Sequence, residues 1–352
     1  IDVFDSNIKV SKIDFVHQIV GWRNIINYPG RYWLKSNAKG ISNMINRLNQ
    51  RDLANFVDKK IMEIKPDVVQ SFVLQSAGYP LIETMKKYPR IKWIFSAWGN
   101  DLYYRQQNPN DLDKIKETLP HFDFMFADCE RDFFVAKKHG FSGKFLGVYP
   151  TGGGYDFEKY NGFIKHFKTK STILIKGYEG KLGRCNNVLK SILTLKDKLV
   201  PYDVKVFGAN HLVKTFVEQS SLKEWPNLVV MENIPHDDVL KLMGESFVYI
   251  GNSISDGMPN TLLEAIIMEV FPIQSNPGGA TAELIEDGVN GFLINNPEDI
   301  AEIKTLVLKA LNNRDELLEG IQRNNVQVKP NLERDRVKKE VIQRYKLVEE
   351  ML

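Results

Sequence analysis

The chain has 352 residues, 43% hydrophobic and 26% charged, with 47 basic against 44 acidic side chains. That length and apolar content allow about two domains with cores of their own and exclude a disordered or collagen-like chain. The formal charge of +3 excludes a chain-wide field for nucleic acid, and charges interrupt every apolar run before the roughly 18 residues of a membrane span.

The first residues, Ile1-Asp-Val-Phe-Asp, read as the end of a strand without a leader pattern, so the natural protein is expected to begin earlier. Between Asp14 and Asp52 no acidic residue occurs, while Arg23, Arg31, Lys35, Lys39, Arg47 and Arg51 are interleaved with Trp22, Tyr28, Tyr32 and Trp33. Such a segment can face an anionic membrane or a lipid-diphosphate acceptor; a solvated basic loop and helix is the alternative. Helical periods near 41–63, 77–88, 111–119 and 130–139 then alternate with strand candidates at 67–72, 91–96, 122–127 and 144–149. His121 and His139 flank ordinary helices and read as structural. Cys129 and Cys185, the only cysteines, are too few for a disulfide framework and read as structural thiols in a reducing, cytoplasmic setting.

Thr151-Gly-Gly-Gly-Tyr-Asp interrupts this alternation, which restarts at Thr172 with strands expected at 172–176, 203–208, 228–231, 247–251, 271–275 and 291–294. The pattern is that of βαβ units and parallel sheets. Residues 1–165 and 166–330 are expected to form two α/β domains facing across a cleft, and 331–352 a helix packing back on the first. Open parallel sheets bind ligands at the carboxyl ends of their strands, so the chemistry is sought in that cleft.

Ser253-Ile-Ser-Asp-Gly-Met-Pro-Asn-Thr-Leu-Leu-Glu-Ala follows the strand at 247–251. Pro259 suits the first turn of a helix and Gly257 allows close backbone approach before it. Free amides at Met258, Asn260 and Thr261 then make an anion site for a diphosphate. With about 1.5 Å of rise per residue, Asp256 and Glu264 stand too far apart for a hydrolase pair, whose carboxylates are ~5–9.5 Å apart. The spacing fits a nucleotide diphosphate sugar lying across the helix start. The alternative is a capping Asp256 and a solvent-facing Glu264.

These residues resemble the E-x(7)-E element of the retaining glycosyltransferases of family 4, usually E-G-x-P-x-x-x-x-E-A, with Asp256 at its first position and Glu264-Ala265 at its end. Asn276-Pro-Gly-Gly-Ala-Thr-Ala-Glu-Leu-Ile-Glu-Asp-Gly-Val-Asn-Gly resembles the family's G-G-x-x-E-x-I-x-D-G-x-x-G segment. Phe207-Gly208-Ala-Asn and Asn233-Ile234-Pro-His resemble its turns around the nucleotide. Ala97-Trp98-Gly99-Asn100-Asp101 resembles its H-G-x-D motif with Trp98 in place of His.

The resemblance implies the GT-B fold and transfer of a sugar, with retention, from a nucleotide diphosphate donor to a glycan or lipid-linked hydroxyl acceptor. Asp256, Glu264 and Asp101 are then the catalytic constellation, with Glu264 on ribose and Asp256 on the sugar. Lys181, Arg184, Gly208, Ile234, Gly257, Met258, Pro259, Asn260 and Thr261 line the donor; Trp98, Arg31, Lys35 and Lys39 lie on the acceptor or membrane side. No metal or other cofactor is expected, and Asp111-Leu-Asp, which resembles the D-x-D element of the other large glycosyltransferase fold, begins a helix where Asp suits the dipole. Surface polysaccharide or lipid-linked glycan assembly at the inner membrane face is the implied setting. An epimerase of similar build and a non-catalytic glycan- or partner-binding relative are the alternatives.

Overall fold

The computed structural model describes residues 2–3, 16–19, 21–26 and 29–352; the side chains of Asp2, Val3, Arg31 and Tyr32 lie outside that description, as do Asp14 and Tyr28. β1 (Asp2–Val3) pairs in parallel with β2 (Gln18–Ile19). The first larger sheet has the order β3 (Val68–Phe72), β4 (Lys92–Ser96), β5 (Phe124–Ala127) and β6 (Lys144–Val148), all parallel.

The second sheet contains β7 (Thr172–Lys176), β8 (Asp203–Phe207), β9 (Leu228–Val230), β10 (Ser246–Gly251), β11 (Phe271–Ser275) and β12 (Phe292–Ile294). Their spatial order, β12-β11-β10-β7-β8-β9, is that of a dinucleotide-binding sheet, and its direction of winding reverses between β7 and β10.

Both sheets are covered on two faces, as parallel sheets must be. Side chains alternate along β7, so Ile173 and Ile175 pack under the helices Cys185–Leu193 and Ile300–Asn312, while Leu174 packs under His236–Glu245 and Asn260–Ile267. In the first domain, Trp93 and Phe95 face the helix Leu53–Ile64. Ile94, Phe124, Phe126 and Leu146 on the other face are met by Val348 and Leu347 of the last helix, Arg334–Glu349. Tyr345 on that helix donates to Gln70 Oε1 at 2.7 Å. The last helix thus packs on the domain that carries β3–β6.

Local departures from the sequence pattern have local causes. The period at 41–63 is two helices, Lys39–Asn49 and Leu53–Ile64, because the Asp52 carboxylate accepts from the Asn55 amide and starts the second. The period at 77–88 begins with a wide turn at Leu74–Gly78 and becomes α-helical only at Ile82. Asp111 lies in the first turn of Pro109–Thr118, capped by Asn108, and is ion-paired with Arg105 at 3.1 Å.

Candidate functional site

The carboxyl ends of β7 and β10 open the crevice that this sheet order creates. The loops leaving them are tied together: Arg184 N donates to Asn252 O at 3.0 Å and Ile254 N to Leu182 O at 2.9 Å. After β10 the chain turns through Asp256 and Gly257 into the helix Asn260–Ile267. Pro259 is the residue before that helix rather than its first turn, and no side chain caps the helix start. The Asn260 and Thr261 amides therefore keep their affinity for an anion. Around them, Tyr249 donates to Thr261 Oγ1 at 2.8 Å and Thr151 Oγ1 lies 3.2 Å from Asn260 Nδ2. Gly257 N, by contrast, is turned to Asp256 Oδ1 at 3.0 Å.

Glu264 is on the helix face that looks back toward this crevice, 8% exposed. Burial raises its proton affinity, and a 2.8 Å hydrogen bond from His236 Nε2 opposes that shift, with Lys176 at the end of β7 also helping to hold the charge. Motif comparison assigns no role of their own to His236 and Lys176, which the fold brings to Glu264. His236 is the last residue of the quoted Asn233-Ile234-Pro-His, and Lys176 is the last residue of the first strand of the second sheet, the position where such a sheet meets its ligand.

The expected phosphate pair is divided. Lys181 is exposed, with its ammonium over the Tyr104 ring of the first domain at 5.3 Å. Arg184 is not available to a phosphate: its guanidinium is held by Glu298 and by the carbonyls of Gly180 and Gly183. Arg184 precedes the helix Cys185–Leu193 and closes the loop that leads into it, a structural task that took the charge the sequence pattern assigned to the ligand. Gly208 is exposed at φ +65° and Ile234 packs on the core beneath the crevice.

The two domains meet at this loop. A Cβ on Gly99, at φ +65°, would lie 2.2 Å from Gly257 N, and a Cβ on Gly257 would lie 2.3 Å from Asp128 Oδ2. Arg131 crosses the seam, donating to Asp256 O at 2.8 Å, Pro277 O at 2.6 Å and Asp132 Oδ1 at 2.8 Å, with the Tyr103 ring 4.3 Å away. In the opposite direction Glu283 of the second domain accepts from the amides of Glu130 at 2.6 Å and Arg131 at 2.8 Å, which fills the start of the helix Glu130–Lys138 with a carboxylate. Gly278 serves this contact: a Cβ there would strike the Tyr103 ring at 2.2 Å, whereas a Cβ on Gly279 would meet nothing within 4 Å. A cavity of about 440 Å³ opens beside it, lined by Tyr103, Gln106, Phe134 and Lys138.

Under the seam lie the buried carboxylates Asp101, Asp128 and Asp132. Burial pushes Asp101 up to about 7 and Asp132 up to about 6, and lifts Asp128 well above the carboxylate range. Among the described residues, Asp128, Cys129 and Asp132 bring metal-ligating atoms within 4.8 Å of one another, but Asp132 is already paired with Arg131. Asp101 accepts from Leu74 N at 3.2 Å and Trp98 N at 3.0 Å; it orients two loops and does not face the cleft.

Because the folded state binds protons here that the unfolded chain releases, these acids add stability below about pH 4, the unfolded range. That contribution is lost as pH rises through about 6 for Asp132 and about 7 for Asp101. Urea unfolding at pH 5 and pH 8 is expected to show the higher stability at pH 5, with a smaller difference in Asp101→Asn; an undiminished difference in the variant would assign the effect to other groups.

Residues 156–328 match the family described as Glycosyl transferases group 1. No curated protein matches the sequence. HepE from Anabaena, in complex with UDP and glucose, superposes with a TM-score of 0.66 at 12% identity over 86% of this chain and 83% of its own. A sucrose-phosphate synthase from Thermosynechococcus elongatus does so at 0.72 and 10% identity, over 99% of this chain and 89% of its own. TarM from S. aureus, in complex with fondaparinux, α-GlcNAc-glycerol and UDP, gives 0.62 at 12% identity over 76% of this chain. The chain spans about half the length of TarM, 53%. At these identities the likeness is one of fold, the GT-B arrangement of two parallel-sheet domains, and it is residues 156–328 that match the group 1 glycosyl transferases.

Proposed function

We propose that the cleft binds a nucleotide diphosphate sugar and transfers its sugar to a hydroxyl acceptor with retention, as a family 4 glycosyltransferase of hexosyl type. One observation carries this reading: the uncapped start of Asn260–Ile267 and the buried Glu264 sit together where the winding of the second sheet reverses. Glu264 accepts from ribose hydroxyls, Asp256 from the sugar, and the amides of Met258, Asn260 and Thr261 receive the diphosphate, with Lys176 and Lys181 supplying positive charge. These fixed donors stabilise the leaving diphosphate. Its oxygen takes the acceptor proton as the new glycosidic bond forms on the same face. HepE and TarM were each solved with UDP, so uridine donors are the first to try. The test is incubation with a nucleotide sugar and a glycan acceptor, reading the anomeric proton of the product by NMR; an inverted linkage, or a free epimerised donor, would refute the proposal.

The reaction is proposed to need no metal. Donor binding and turnover are expected to survive EDTA unchanged; loss of turnover that manganese restores would contradict this.

The acceptor side is proposed to lie against an anionic membrane, as for a lipid-linked glycan or surface polysaccharide. No helix among the described residues is long and apolar enough to cross one. On the helix Lys39–Asn49, however, Ile41, Met44 and Leu48 are exposed at helical spacing, near the exposed Ile25, Ile26 and Trp33. Lys35, Lys39 and Arg47 are exposed around them. An apolar stripe flanked by cations suits an interfacial helix, each cation adding about 1 kcal/mol near an anionic surface. Changing Lys35, Lys39 and Arg47 to Glu is expected to abolish co-sedimentation with phosphatidylglycerol vesicles while sparing nucleotide affinity. Unchanged sedimentation would make the segment a solvated face.

A further inference from the structure

Two large aromatic side chains stand half in solvent at the carboxyl ends of neighbouring strands, Phe72 at 46% and Trp98 at 47% exposure. Phe72 ends β3, and Trp98 lies two residues beyond β4, whose last residue Ser96 is the register partner of Phe72. The ring centroids are 5.5 Å apart with the planes at 54°. A contiguous exposed pair of large aromatics is a more informative feature than a single exposed apolar side chain, and the backbone on both sides holds this pair at the surface.

The device on one side is Val73, a β-branched residue held at φ 62° and ψ 114°. Such a conformation is an outlier for a β-branched residue and persists only where the surroundings impose it. The device on both sides is Asp101, whose two carboxylate oxygens take the amides of Leu74 and Trp98. One buried carboxylate therefore fixes the turn after Phe72 and the turn that carries Trp98. The next residue is Gly99, whose missing Cβ lets the chain touch Gly257, so the aromatic pair begins one residue from the loop that carries Asp256.

We propose that Phe72 and Trp98 form the acceptor subsite and that its ligand is a saccharide ring stacked on the indole. The negative face of an aromatic ring attracts the C–H bonds on the flat side of a pyranose, and two rings offer a platform of about one sugar's breadth. A hydroxyl of that sugar would then face the donor sugar across the Gly99–Gly257 contact. The inference rests on the donor reading above for the position of the transferred sugar, but the stacking itself is independent of it.

The experiment is saturation-transfer NMR on the full chain with maltotriose and N,N′-diacetylchitobiose as saccharide probes, alongside sedimentation with phosphatidylglycerol vesicles and calorimetric titration of UDP. Trp98→Ala is expected to weaken the responding saccharide about tenfold and Trp98→Phe by less than about threefold, a difference of roughly one stacking contact. Phe72→Ala should fall between them. UDP affinity and thermal unfolding should stay as in the parent protein, since both side chains are half-exposed. Undiminished saccharide binding in Trp98→Ala overturns the proposal, as does a parent protein that binds UDP but neither saccharide. Vesicle binding that depends on Trp98 while saccharide binding does not would also overturn it, by assigning the rings to lipid. Saccharide binding that follows Trp98 in a protein that binds no UDP would support the subsite and refute the uridine donor instead.

Discussion

Glu264→Gln is expected to weaken free nucleoside diphosphate and intact nucleotide sugar alike, by ~1.5–3 kcal/mol for lost charged hydrogen bonds. Asp256→Asn should leave the free nucleoside diphosphate unchanged and weaken only the sugar-bearing donor. Both residues belong to one loop and helix, and what separates their effects is position. Glu264 is buried behind the helix start with His236 on one oxygen, where a ribose can reach the carboxylate without passing Asp256. Asp256 is half-buried at the Gly99–Gly257 contact, beyond the amides assigned to the diphosphate. Glutamine keeps the volume of Glu264, so the loss reports charge and hydrogen bonding rather than a cavity. Calorimetric titration of both variants with each ligand makes the comparison. Equal effects on the free nucleotide would put the sugar end of the site elsewhere.

The second large effect is expected at Arg131. Arg131→Met keeps an unbranched stem but removes the donors that hold the carbonyls of Asp256 and Pro277, and it leaves Asp132 without its cation. Removing one member of a buried ion pair costs about 3–5 kcal/mol, and here the cost falls on the contact between the domains. Urea unfolding should show that loss, and small-angle scattering should show a larger radius of gyration as the seam parts. Glu283→Gln is the milder companion. It retains one of the two acceptors for the Glu130 and Arg131 amides, so ~1–3 kcal/mol is expected. An Arg131→Met protein with parental stability and dimensions would show that the seam is held by packing alone.

The strands were legible because each is a short β-rich run ending at a turn residue, and the buried strands of a parallel sheet carry little else. Glu264 was legible because seven residues separate it from Asp256 and a proline marks the helix start between them. The latch was not. Arg131 and Asp256 are 125 residues apart and Glu130 and Glu283 are 153 apart, and nothing in a single sequence couples charges over such distances. Glu283 was visible only as one letter of a motif, without its partner. Arg184 shows the opposite failure: a correct residue type at a suitable position, claimed by Glu298 from another loop. Asp101 was placed among the catalytic acids by its motif, whereas the fold uses both of its oxygens on backbone amides.

The central claim is that the reversal point of the second sheet holds a nucleotide diphosphate sugar. Its most direct test is calorimetric titration of the full-length chain with a panel of nucleotide diphosphate sugars, each in competition with its free nucleoside diphosphate and its plain nucleoside. At least one donor should bind and be displaced by the diphosphate but not by the nucleoside, because the Asn260 helix start recognises the phosphates. A protein that binds no member of the panel, or that is emptied equally well by the nucleoside, would contradict the account.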